Sequence, residues 1–598
     1  NFSINNDKGL EISGFSVFTT VVNDIEEQIS RTYNATEVTE NTSEFSLQES
    51  TLELYKFSLE YEPSEIFQLE YNVLFNTSDQ TEINDLTSIY GSLNNRVEEK
   101  LELTRGQTPS ALNQELKVYY TLNEDHIFSF EAQHLDQTED PVSRAVRGRN
   151  PFLNLIPFES DVERFDISQY RFIETQKLEA KLDYFYLIND QSNINLSIGF
   201  TNVDQSYISN FNQILNDGIT NYFDDDQFNN DVDFSFKDLY FAVNYRIRTG
   251  IFTIDPGLTI HFYENYNSQL DQFYKYDISD FRPNLRINMQ FKKNENLRFT
   301  YRKNTQFTDV NNISEGYVFN NYNSIFRGNR ELEAAIVNSF NLNYRSINQF
   351  TFTNIFSNIS YSKRENSIQS IAAIEGINSV RTANNSIFPR ETYSARARID
   401  KRFKNIKLNL SANVRFTEFS NIINDVVNNA ESFNQDYEAS LETNFRDKPN
   451  IEIGLKYNLN NYKNANIENK FIRETPFIRT DAYFGKGFVF TAEYSYNKYK
   501  NQDQVLNYFR FLDADISYNK EGSKWEYSVG VSNLLNDTST NRDSFNQFFT
   551  QTRSYIIQPR YILFKLKYDL TLFGGKEKKN GENQSRNSRG NSGGGRLK

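Results

Sequence analysis

Arg144, Arg147 and Arg149, with Phe152 and Phe158 close behind, are the side chains of this chain best suited to grip an anion. A guanidinium presents a planar fork of donors that matches a carboxylate or a phosphate. The stretch is therefore a candidate anion clamp, weighed against an ordinary basic and aromatic surface loop. A second constellation is acidic: Asp224, Asp225 and Asp226, followed by Asn229, Asn230, Asp231 and Asp233. Clustered oxygens suit calcium, but the glycine and closing glutamate of an EF-hand loop are missing. A solvated acidic loop is the better reading, with calcium as the alternative. The three histidines are His126, His134 and His261. His126 and His134 share a strand face, but at strand rise they stand roughly 26 Å apart, too far to share a metal. They read as interface or lumen residues. The stretch Gly590-Asn591-Ser592-Gly593-Gly594 has the spacing of a nucleophile elbow, yet that turn needs a strand before it and a helix after it. Here it lies in a low-complexity tail. With no cysteine in the chain, thiolate chemistry, disulfides and cysteine metal sites are excluded together. No catalytic, cofactor or metal residue is assigned, the substrate-binding residues stay open, and an enzyme is not expected.

The elements that must position these residues announce themselves by a period of two. In the run Ile406, Leu408, Leu410, Ala412, Val414, Phe416, the intervening Lys407, Asn409, Ser411, Asn413 and Arg415 are polar or charged. Successive side chains of a strand point to opposite faces. One face is apolar and the other wet. The same alternation runs through Leu112 to Leu122, Leu285 to Phe291 and Ile451 to Leu459. Mean hydropathy is −0.68, and no apolar run approaches the ~20 residues of a membrane-spanning helix. Neither fact counts against a membrane β-barrel, whose lumen-facing residues dilute every strand. The aromatic load of 52 Phe and 37 Tyr suits interfacial girdles. On pattern alone the alternative is a soluble all-β protein with many aromatics. A formal charge of −15 disfavours nucleic acid as a partner.

Between the alternating runs the gaps are short, then long, then short. Turn-forming stretches fall at 62–65, 123–125, 189–193, 248–250, 293–296, 346–349, 404–405, 447–450, 485–487 and 519–522. The longest polar excursions run near 77–111, 136–168, 201–233, 307–336 and 362–390. Short periplasmic turns opposite long extracellular loops is the plan of an outer-membrane barrel. Counting gives roughly twenty-two antiparallel strands, with both chain ends on the short-turn side. The expected organisation is a closed transmembrane β-barrel over residues 1–573 and a disordered basic tail over 574–598. Such a barrel belongs in the bacterial outer membrane, in contact with its lipid. No signal peptide opens the chain, so the reading expects a processed chain or a piece of a longer one.

Two segments say more than periodicity. Gly328, Asn329 and Leu332, leading into the strand with Phe340, Leu342 and Tyr344, resemble the Gly-Asn-Pro-x-Leu-x-Pro-Glu stretch of TonB-dependent outer-membrane receptors. Arg330 stands where that family has proline, and Ala334-Ala335 where it has Pro-Glu. Val529, Val531, Asn533, Leu534 and Asn536 resemble the family's Val-x-Val-x-Asn-Leu-x-Asn before the final loop and strand. The last strand, rich in aromatics, resembles the signal read by barrel-assembly machinery. The resemblance implies energised uptake of a solute too large or too scarce for porins. It also implies coupling to a TonB-type protein through an N-terminal plug, and it leaves room for a surface lipoprotein partner. No plug is visible in the sequence, so the lumen is expected to lack a filling segment. The alternative function is a surface binding or assembly platform without active transport.

Overall fold

Wherever apolar and polar residues alternate, the backbone is extended. The computed structural model describes residues 2–568, apart from residues 7, 93–94, 153–154, 160, 224, 446–447, 465–467, 486, 521, 538, 546–547 and 557–558. Asp224, Phe573, the serine stretch at 590–594 and the tail at 574–598 lie outside the described residues. Among the described residues the strands form one sheet of 32 stretches. Six stretches lie outside the wall, and four wall strands are each broken into two pieces, which leaves twenty-two wall strands. Each pairs antiparallel with the next. The first, Leu10–Tyr33, starts at the short-turn end. The last, Phe549–Ile556 continued by Tyr561–Tyr568, returns to it. Residues 26–33 pair with 549–556 to close the ring at the long-loop end. Nearer the short turns Phe2–Asn5 folds back on residues 11–14. Among the described residues, no pairing joins 15–25 to 561–568.

Facing follows the alternation. In the strand Ile406–Ile423, Lys407 Nζ meets Glu442 at 3.2 Å and Asn409 donates to Ser440 at 3.1 Å, inside the barrel. Ile406, Leu408, Leu410, Val414 and Phe416 take the opposite face, as period two requires. Phe416 is one rung of an outer aromatic ladder. Tyr301, Phe340, Tyr361, Tyr393, Phe416 and Phe433 lie directly opposite one another on six consecutive strands. Neighbouring ring centroids are 4.8 to 6.4 Å apart. A second aromatic band marks the short-turn end, with Phe488 between Phe484 and Tyr518, Trp525 on Tyr568, and His126 stacked on Tyr186. From Phe416 down to Ile406 is about ten residues, roughly 33 Å along the strand and about 25 Å in height at a barrel's usual tilt. That height matches the apolar band of a membrane barrel.

The polar excursions near 77–111 and 201–233 are largely not loops, and the one near 136–168 is strand at both ends. Thr39–Ser64 and Phe67–Ser92 each run for 26 residues, Phe165–Asn189 for 25 and Ser192–Ile214 for 23. Above the outer girdle the outward face of a strand meets water and the inward face packs in part on an inner sheet, so the membrane alternation fades while the strand continues. Elsewhere the wall is low: Glu295–Gln306 has 12 residues and Thr353–Glu365 has 13. The rim is therefore lopsided.

The expectation of an unfilled lumen also needs correction. Residues 307–334 leave the low side and fold into the barrel. They carry a single helical turn, Val310–Ile313, and a hairpin of Val318–Asn321 and Ser324–Arg327. A second hairpin, Ile368–Glu375 and Asn378–Asn385, lies beside the first, joined through parallel pairing of 324–327 with 379–382. Phe319, Tyr322, Ile325, Ile374 and Ile377 of this inner sheet are buried with Leu101, Ala145, Ile167 and Phe211 of the tall wall. The main hydrophobic core of the molecule is a seal inside its own mouth.

Candidate functional site

The inner sheet can cross the lumen because the tall wall supplies polar partners for its backbone. Asn230 donates to Gly316 O and accepts from Gly316 N, while Gln269 does the same for Ile313 O and Glu315 N. Gln169 donates to Tyr317 O at 2.9 Å and accepts from Phe319 N at 2.7 Å. Arg105 donates to Asn320 O. A buried amide or carbonyl left without a partner costs about 1–3 kcal/mol, so each of these side chains acts as a clasp. Gly316 and Gly328 sit where no side chain fits. A Cβ on Gly316 would lie 2.3 Å from Asn229 O, and one on Gly328 2.5 Å from the carbonyl oxygens of Asn312 and Ser314.

At the tip of the first hairpin, Tyr322 is fully buried among charges. Its hydroxyl donates to Glu40 at 2.6 Å and accepts from Arg31 at 3.0 Å. Its carbonyl accepts from Arg147 at 2.7 Å. Burial, and then the Glu40 carboxylate, push the Tyr322 phenol well above its ordinary value, so it stays a donor. Arg147 is itself buried and forked onto Glu99, at 2.8 and 3.1 Å. Next to this latch, Glu27 and Glu44 stand directly opposite each other on the first two wall strands. Burial and the facing Glu27 push Glu44 up to about 7.

The three arginines read as an anion clamp do not converge. Arg147 is committed to Glu99 and Tyr322, and Arg144 is paired with Asp166 on the opposite face of its strand. Phe152 is buried in the seal's core and Phe158 packs edge-on to Phe165 and Phe223. The acidic stretch disperses as well. Asp225 caps a local turn through Gln227 N, Asn229 holds Phe223 O, and Asn230 serves the seal. Among the described residues no group of three carboxylate or imidazole side chains could hold a metal. His126 belongs to the short-turn aromatic band, hydrogen-bonded to Tyr184 at 2.7 Å. His261 is buried in the wall against Asp238, 2.9 Å away.

Arg31, Glu40, Glu99 and Tyr322 escaped sequence reading. The available signal was the apolar density inside a supposed loop: Val310, Ile313, Tyr317, Val318, Phe319, Tyr322, Ile325 and Leu332 within a short span. Gly328, Asn329 and Leu332, which carried the resemblance, prove to be seal parts. Gly328 and Asn329 hydrogen-bond back to Ser314 and Asn312, and Leu332 is buried in the second apolar cluster. Asn533 and Asn536 adopt left-handed backbone and break the penultimate wall strand.

No protein-family model matches the chain, and no curated protein matches it in sequence. Among solved structures, the ferric citrate transporter FecA in its unliganded form is similar at 10% identity, over 90% of this chain and 78% of that one, with a TM-score of 0.43. The copper transporter OprC is similar at 8% identity, over 90% and 80%, with a TM-score of 0.45. The siderophore receptor PirA from Pseudomonas aeruginosa is similar at 10% identity, over 91% and 81%, with a TM-score of 0.37. Identity of this order carries no residue's role across.

Proposed function

We propose that the chain is an outer-membrane transport barrel of the TonB-dependent receptor type, which admits a solute too large or scarce for porins when its seal moves. The observation behind this reading is the pairing of a wide wall with a seal built from the wall's own connections. Twenty-two strands enclose far more space than their side chains fill. Below the seal the wall is wet, with a recess of about 410 Å³ among Tyr119, Phe185, Asn195, Asn244, Arg246 and Arg286. A barrel meant only as a rigid support needs neither the width nor the wet lining. The outer aromatic bands and the apolar height between them suit a bacterial outer membrane. Energy would come from a TonB-type protein acting through a plug.

The test is uptake of labelled solutes too large for porins by cells that make the full-length protein, with and without a protonophore. Uptake that stops when the proton gradient collapses supports the proposal. The platform reading gains from one observation, the buried ion pairs that lock the seal. Surface binding of a ligand without uptake would put it ahead.

A further inference from the structure

The inner wall beneath the second hairpin has a charge pattern that runs against the whole chain. On the five strands from Glu295–Gln306 to Ile406–Ile423, period two turns Arg298, Arg302, Arg364, Arg390, Arg396 and Arg415 to the lumen. None of these six has a carboxylate within ion-pair distance among the described residues. The lumen-facing carboxylate of these strands, Asp400, is taken by Arg398 at 3.0 Å. The chain as a whole is acidic, at −15.

Arg364 and Arg390 stand directly opposite each other, at the two points where the inner hairpin leaves the wall. Directly opposed side chains have Cβ atoms only about 5 Å apart, and like charges so placed destabilise a sheet. Arg390 lies over the Phe419 ring at 5.5 Å. Partial enclosure, and then Arg364 and Arg415, push its pKa down. The rows between are hydroxyls and amides: Ser360 bonded to Ser394, Thr392 to Thr417, and Asn358 to Asn341 and Asn343. A like-charge cluster in a wet cavity, framed by neutral donors and with no carboxylate in ion-pair distance among the described residues, has the makings of an anion site.

We propose that this arginine arc binds a small polyanion with clustered phosphate or carboxylate oxygens, held by Arg364, Arg390 and Arg415 directly beneath the second hairpin. Guanidinium forks take such oxygens two at a time. The site needs only a water-filled lumen and stands whether or not the barrel transports.

The test uses the purified full-length protein in detergent, with tripolyphosphate and citrate as probes and sodium chloride at matched ionic strength as the control. Calorimetry should show saturable binding of at least one probe, and that probe should raise the unfolding temperature above the chloride value. In Arg364→Ser/Arg390→Ser, binding should weaken about tenfold or more, and the unfolding temperature in chloride alone should rise as the repulsion is relieved. A response to tripolyphosphate alone identifies phosphate as the ligand chemistry, and one to citrate alone identifies carboxylate. Should the double variant fail to fold, Arg415→Ser carries the same comparison. Absence of saturable binding to the wild type, or equal binding by wild type and variant, overturns the proposal.

Discussion

Arg147 shows how far a single side chain can be from its apparent job. Its neighbours in sequence suggest a ligand clamp, whereas its guanidinium neutralises buried Glu99 and holds the Tyr322 carbonyl. Removing one member of a buried ion pair strands the other. Arg147→Ala should therefore cost about 3–5 kcal/mol in chemical denaturation of the folded protein; a loss below about 1 kcal/mol would show that Glu99 finds another partner. Glu44 predicts a pH dependence. Its pKa in the folded protein, about 7, lies above the ordinary 4.5, so the native state holds the proton more tightly than the unfolded chain. Stability is then present at low pH and is lost as pH rises from about 4.5 through about 7. The seal should open more readily at pH 8 than at pH 5.5, as read by proteolysis at the inner hairpins, and Glu44→Gln should flatten that difference. An unchanged slope in the variant would assign the dependence elsewhere. Contacts of this kind were illegible beforehand, because Arg31, Glu40, Glu99 and Tyr322 meet only after distant strands are in register.

Single strands were the most legible level. The facing of Lys407, Asn409 and Leu410 follows from alternation alone, because a register slip by one residue would turn every side chain to the wrong face. Leu410→Arg should cost about 2–4 kcal/mol in folding into a bilayer, while Asn409→Arg, pointing into water, should cost far less. Comparable losses at the two positions would refute the assigned facing. Where strands rise past the outer girdle, the code changes. Residues 77–111 are largely polar and read as a loop, yet most are strand, since hydrogen-bonded pairing survives where the lipid-facing requirement has ended and Leu86, Leu101 and Leu103 answer to the seal's core instead. The inner hairpins were missed for the converse reason. Their apolar residues answer to the seal's core, and a run as short as Ser324–Arg327 shows no period to read.

For the whole molecule, strand number and the side on which the chain ends lie were readable from alternating gap lengths, and the filling of the lumen was not. A loop's destination depends on which wall it leans on, and spacing has no record of that. The seal is expected to keep the barrel closed by itself. In planar bilayers the full-length protein should pass little current, and replacing residues 312–330 by a short glycine-serine linker should raise conductance sharply. A high conductance in the unaltered protein would mean that the seal leaks or that it opens without a trigger.

The uneven rim gives the molecule an azimuth. From Tyr55 in the outer girdle up to Thr39 is a climb of roughly 40 Å, whereas Tyr361 to Glu365 gains only about 10 Å. One side is a parapet and the other a sill. Under the transport function proposed above, cargo too bulky to descend behind the parapet would arrive sideways over the sill, where the seal's two hairpins are rooted. Access should then depend on compass direction. A bulky polymer attached at Ile387→Cys, a highly exposed site on the sill, should block a large ligand, and the same polymer at Glu37→Cys, on the parapet's crest, should not. Equal blockage from both positions would mean that cargo comes straight down.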